Sequence, residues 1–368
     1  MEAERQEMRV ERHADLNTII VTSLLLLYGL VMVYSASAPF SLRHYGNDVH
    51  LFVKQLIAAG AGGLLMWGLS RFDYHRLAQL DDILLVGGFL LTLLTLFPRV
   101  GDGRWLDLGP FALQPTEFLK FALIVYLAAT IVRKGERIKS YTEGVLPFVI
   151  VLAVIAAVVI NQPDLGMILV LASLTAAMLF FGGAQVRHLL FTAVSGVPFV
   201  YLAILIAPYR LSRIIAFIDP HAYASSSGYQ IIQSLTAIGA GGIFGRGLGA
   251  SQAKLFYLPQ AHNDFIFSVL AEELGLIGAL VLIGLFVAFA WRAFVIAWRA
   301  PDRLGRLLAL GIGFTISLQA ILNLGVALAI LPVTGLTLPF VSNGGSSLLV
   351  TLGMVGVLLN VSRQGGES

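Results

Sequence analysis

Apolar and polar residues are segregated along this chain into long blocks. Apolar runs fall at 17–37, 51–69, 82–97, 116–132, 145–161, 164–182, 188–207, 264–291, 306–329 and 345–361. Each lies near the roughly 17–25 residues that a helix needs to cross about 30 Å of hydrocarbon. A membrane barrel would instead alternate apolar and polar positions over about ten residues, and this chain shows no such alternation. The pattern predicts an all-α, polytopic integral membrane protein of about ten transmembrane helices, with both chain ends on one side. The fifth and sixth runs are parted only by "NQPD" at 161–164, read as a tight turn with Asp164 as a helix cap. The expected organisation is a leader at 1–16, a single membrane domain at 17–361 and a tail at 362–368.

Composition agrees: 57% of residues are hydrophobic and 12% charged, against about one-quarter charged in soluble domains. So few polar residues cannot cover a water-exposed surface, which excludes an ordinary soluble enzyme, a disordered chain and a nucleic-acid-binding module. Of the 24 Lys and Arg, fifteen fall in the leader, tail and links on the terminal side and seven on the other side; Lys54 and Lys120 lie within spans. This bias puts both termini in the cytoplasm. The first sixteen residues are highly charged and the run behind them is expected to be a retained anchor. With no cysteine, disulfides, thiolate metal sites and Cys nucleophiles are excluded.

On the side away from the termini the loops are long: 98–115, 330–344 and above all the large extracytoplasmic loop at 208–263, between the seventh and eighth spans. That loop carries an amphipathic "YQIIQSLTAIG" and the Gly-rich "GAGGIFGRGLG", which fits no nucleotide fingerprint and reads as a turn-rich, close-packing segment. Long structured loops in a compact protein carry function. The stretch 101–115 reads as a re-entrant or hairpin-like loop, with Trp105 either an interfacial anchor or a platform for stacking a sugar.

Ionisable residues inside spans are costly and point to function. Here they are Lys54, Glu117, Lys120, Asp164, Asp264, Glu272 and Glu273. The second, fourth, sixth and eighth spans run from outside to inside, so the first five of these charges gather at the outer level. Glu117 and Lys120, at i and i+3, are spaced for an ion pair. Asp264 begins the eighth span with no basic residue within a turn. It is either a capping group or a partly desolvated carboxylate suited to general-base work. Arg210, Arg213, Arg246 and Lys254 are outer basic residues, read as solvated surface or as a clamp for a diphosphate.

Six motifs, "VMVYSASA", "GRWLDLGPFALQPTEFLKFALI", "NQPDLG", "YRLSRIIAFIDP", the stretch 228–278 around "LPQAHNDFIF" and "LPVTGLTLPFVSNGGSS", resemble in content and order the SEDS family of shape, elongation, division and sporulation proteins. Its branches include FtsW, RodA and SpoVE, and "VYSASA" and "LAEELG" lean towards the FtsW and SpoVE side. The resemblance implies a ten-helix peptidoglycan glycosyltransferase of the bacterial cytoplasmic membrane. It would polymerise lipid II during division or elongation, beside a class B penicillin-binding protein and other divisome or elongasome proteins. The family's essential Asp matches Asp264, its "QPSExxK" Glu and Lys match Glu117 and Lys120, and its outer-loop Trp matches Trp105. Arg210 and Arg213 fall in the loop motif ahead of the Asp, and Lys54 joins this substrate-binding set. Asn343 and Asn263 depart from the family's "SYGGSS" and "HTDF" patterns, and their effect is expected in local packing or partner contact. On this reading Asp264 is the general base. Lys120, oriented by Glu117, stabilises the leaving diphosphate with Arg210 or Arg213, aided by a divalent cation, Mg or Mn. The alternatives are a lipid II flippase, for which Glu272 and Glu273 would extend a polar track inward, and a non-catalytic division scaffold.

Overall fold

The computed structural model describes residues 14–97, 101, 103–107, 109, 112–162 and 164–365. Most of the expected leader and residues 366–368 of the tail lie outside them. The elements in chain order are α1 Leu16–Tyr45, α2 His50–Leu69, α3 Tyr74–Gln79, α4 Asp81–Leu94, β1 Leu106–Asp107, β2 Ala112–Leu113, α5 Pro115–Lys134, α6 Leu146–Val159, α7 Leu165–Phe181, α8 Val186–Ile206, α9 Pro208–Ile218, α10 Ser227–Gly241, α11 Ile266–Trp298, α12 Arg303–Ala327 and α13 Gly345–Gly365.

All ten predicted spans are helical. Among the described residues eight helices, counting the turns that extend α5 and α6, are long and apolar enough to cross a membrane. The two other spans are α7, of 17 residues, and α4, of 14. Several helices outrun their apolar stretch because helicity does not end where apolarity does. Thus α1 continues through Pro39 to a left-handed cap at Gly46, whose N–H returns to Leu42 O.

The hydrophobic core lies along α5, α12 and α13, whose small residues, such as Ala122, Ala128, Ala309 and Ala320, are buried and permit close helix approach. Around them α2 packs on α13, α4 on α5, α7 on α12, and α11 on both α1 and α12. The outlying α8 buries no residue. Apolar all round, it satisfies that surface only against lipid.

Both ends of the described chain meet at one face. Asp15 caps α1, receives a charged bond from Arg292 near the end of α11, and donates its backbone N–H to Ser362 Oγ at 3.2 Å. Beside it His75 bridges Asp73 and Asp302, at 2.8 Å to each. The outer elements lie at the opposite end of α11. The predicted hairpin-like loop is a hairpin, β1 pairing antiparallel with β2, and the 208–263 stretch contributes α9 and α10.

Candidate active site

Asp264 stands in the loop immediately before α11. Its expected alternative role, capping that helix, is not taken up: Phe265 holds the N-cap position, with no side-chain cap bond. The backbone around it is held instead. Asn323 Nδ2 donates to Asp264 O at 2.9 Å, Ser342 Oγ donates to Asn263 O at 2.7 Å, and Asn343 N donates to His262 O at 3.0 Å. The "SNGGSS" turn is itself fixed by Gln55, which donates to Ser342 O and accepts from Gly344 N, each at 3.1 Å. Asp164, by contrast, is the predicted cap, accepting from Met167 N at 3.0 Å.

These pieces surround a cavity of about 720 Å³. Its lining includes the charged Lys54, Arg104, Glu117, Asp164 and Asp264 together with Trp105, and the apolar Ile57, Ala58 and Ala61 of α2 and Leu349 of α13. Burial pushes the Asp264 carboxyl up from 3.8 to about 6, against the pull of Arg104 and, more weakly, Arg213, with Asp164 adding to the rise. Burial raises Asp164 as well. A carboxylate poised near 6 is ionised at neutral pH and basic enough to take a proton from a hydroxyl as it attacks.

The Glu117 and Lys120 pair forms as spaced, Lys120 Nζ lying 2.6 Å from Glu117 Oε2. The expected order of roles is reversed. Glu117 lines the cavity, whereas Lys120 is wholly buried behind it, held also by Gln319 Oε1 at 2.8 Å. The lysine therefore orients the glutamate and has no path to a diphosphate in the cavity.

The outer basic residues divide. Arg210 is buried and committed to the protein, donating to Ala203 O at 2.7 Å, Ile160 O at 2.6 Å and Tyr209 Oη at 2.8 Å, so the clamp reading fails for it. Arg213 lies near enough to Asp264 and Asp164 to lower both carboxyls and donates to Val333 O at 3.4 Å. Arg246 and Lys254 also leave the expected clamp: they pair with Glu272 at 3.1 Å and Glu273 at 2.7 Å. Glu272 and Glu273 are thus neutralised within the fold and extend no polar track. Lys54 is on the cavity wall, its Nζ 5.9 Å from the centre of the Tyr45 ring.

Sequence reasoning missed Arg104, whose Nε donates to Gln162 O at 2.7 Å and which is the foremost charge acting on both Asp164 and Asp264. Its adjacency to Trp105 was the available signal. Asn263 and Asn343, expected to affect packing or partner contact, line the cavity.

The residues do not make a metal cage: among the described residues no three His, Cys, Asp or Glu side chains converge on a point. Lys120 and the Met167 amide already engage two of the cavity's three carboxylates.

Comparison with known proteins places this architecture. The family model for FtsW, RodA and SpoVE, described as cell cycle proteins, matches residues 15–366. The "Probable peptidoglycan glycosyltransferase FtsW" of Trichlorobacter lovleyi is 41% identical over 367 residues, covering 98% of this chain and 96% of the relative. Stage V sporulation protein E of Bacillus subtilis is 42% identical over 354 residues, covering 95% and 97%. Among solved structures, a chain of a peptidoglycan synthase complex that coordinates polymerization and crosslinking superposes with TM-score 0.78 at 30% identity, covering 95% of this chain and 98% of its own. The rod shape determining protein RodA of Thermus thermophilus gives 0.71 at 29% identity, covering 96% and 98%. The chain belongs to the FtsW, RodA and SpoVE family.

Proposed function

We propose that this protein is a peptidoglycan glycosyltransferase that polymerises lipid II, with Asp264 as its general base. The observation that carries the reading is a carboxylate not engaged by its helix, set in a cavity lined by both charged and apolar residues. An undecaprenyl diphosphate-linked disaccharide has the same division, its tail soluble in lipid and its sugars in water.

The donor sugar is α-linked to diphosphate and the glycan product is β-linked, so one inverting displacement suffices. The acceptor 4-hydroxyl attacks the donor C1 as its proton passes to Asp264; the bond from C1 to the diphosphate oxygen breaks, and the diphosphate leaves as an anion. Lys54 and Arg104 supply the positive charge where that anion develops, with Arg213 at the rim. Glu117, held by Lys120, presents its carboxylate to the acceptor sugar's hydroxyls, and Trp105 offers a stacking face.

The protein works with a penicillin-binding protein, the transpeptidase partner. Its place is the bacterial cytoplasmic membrane, with both termini in the cytoplasm and the cavity at the outer face. The positive-inside count and the meeting of Asp15 with Ser362 at one end of the bundle support this. A flippase would need charges free through the membrane depth, and the inner ones are paired.

The test is lipid II polymerisation by purified protein, with and without the penicillin-binding protein. Asp264→Asn is expected to lose about 10²–10⁴-fold in rate. Full activity in a folded Asn variant would refute the base assignment.

A further inference from the structure

Two side-by-side carboxylates, Glu272 and Glu273, lie buried in α11 eight and nine residues beyond Asp264, about 12 Å along a helix. They are too far from Asp264 to touch the reacting sugars. Buried ions are costly unless fully partnered, and these are. Glu272 accepts from Arg246 Nη1 and from the backbone N–H groups of Gln252 and Ala253, all at 3.1 Å, and from Ser251 Oγ. Glu273 accepts from Lys254 Nζ at 2.7 Å and from Ser35 Oγ of α1 at 2.7 and 2.8 Å.

The backbone repeats the same connection. Gly275, with φ +67, breaks the helix just past the two glutamates. The freed groups pair with the Gly-rich run: Arg246 N donates to Glu272 O, Gly247 N to Glu273 O, and Leu276 N to Gly242 O, at 2.9–3.0 Å. Glycine is required on both sides of the seam, since a Cβ on Gly275 would lie 2.3 Å from Gly245 N and one on Gly245 2.2 Å from Glu273 O.

The segment from Ser251 to Asn263 is therefore tied at both ends, to the glutamates at its start and to Ser342 and Asn343 at its finish, and Asp264 follows directly. We infer that Glu272 and Glu273 are positioning residues for Asp264, locking the loop before it to α11 and α1. The inference rests on the proposed polymerase reading. The glutamate end of this lock touches neither α2, the hairpin nor the 335–349 turn, which meets the segment only at its finish, through Ser342 and Asn343. A displaced base slows the chemical step, and about 1 Å of misplacement costs up to about 10²-fold, while substrate binding is spared.

The experiment compares wild type, Glu273→Gln, Ser35→Ala and Lys254→Arg as full-length purified proteins, by lipid II polymerisation kinetics and amide hydrogen exchange. Glu273→Gln is expected to lower kcat at least about tenfold with KM within about twofold, and to speed exchange across 251–263 but not across 335–349. Ser35→Ala, which deletes one hydroxyl, should show the same pattern more weakly and decides the matter if Glu273→Gln does not fold; Lys254→Arg should keep near wild-type kcat. Wild-type kcat in the folded variants, a change confined to KM, or unaltered exchange in 251–263 would overturn the inference. An inactive wild type would instead overturn the polymerase reading, with the exchange data still reporting on the lock.

Discussion

Replacing Asp264 by Asn should make the protein more stable while it removes activity, and the size of the gain follows from the site. Burial raises this carboxyl from 3.8 to about 6, so the folded state holds the proton more tightly than the unfolded one. Wild-type stability then falls as pH rises from about 4 to about 6 and stays low above that. An amide of the same shape does not ionise and escapes the penalty. At about 1.4 kcal/mol per pH unit, Asp264→Asn gains about 3 kcal/mol at pH 7.5, about 1.5 kcal/mol at pH 5 and almost nothing at pH 3. The assay is thermal or denaturant unfolding of detergent-solubilised wild type and variant across this pH range, followed by tryptophan fluorescence, beside the polymerisation rate. Equal stability at pH 7.5 would refute the desolvation argument. An active Asn variant would refute the base.

The same carboxyl sets the acid limb of kcat/KM, which should bend near pH 6 in the wild type; Arg104→Ala, by removing the charge that most lowers it, should move the bend to higher pH. Lys120→Met should destabilise the fold by about 3–5 kcal/mol by leaving Glu117 buried and unpaired, whereas Glu117→Gln with Lys120→Met should recover folding, read by melting, without recovering polymerisation. Arg210→Ala should chiefly lower the melting temperature and Arg213→Ala chiefly raise KM, measured on the same preparations. Burial opposes protonation of His75, but its bonds to Asp73 and Asp302 outweigh that and raise its pKa. The stabilisation it contributes is thus complete below about pH 6.5 and lost as pH rises through the raised value, so the melting-temperature deficit of His75→Ala should be largest near pH 6 and shrink by pH 9.

What could be read in the chain and what could not divide along physical lines. Helix crossings are a one-dimensional property: a run such as 345–361 must be a helix in lipid whatever surrounds it, and the spacing of Glu117 and Lys120 fixes their pairing by helix geometry alone. Which member of that pair faces the cavity depends on how α5 turns against α12, where Gln319 waits for the lysine, and the spacing is symmetric to that choice. Arg210 and Arg213 are likewise indistinguishable as neighbours in sequence. They part because one side chain turns back to carbonyls at 160 and 203 and the other faces the carboxylates at 164 and 264. Arg246 and Lys254, counted among outer charges by sidedness, descend to meet Glu272 and Glu273 because α11 breaks at Gly275 and the loop fills the break. In a membrane fold the scarcity of charge makes each partner choice consequential: a basic residue drawn inward to neutralise a glutamate is one fewer for the anionic substrate. Lys54 and Arg104 are the basic residues that line the cavity itself, and neither the apolar runs nor the positive-inside count marks them out from the other outer cations.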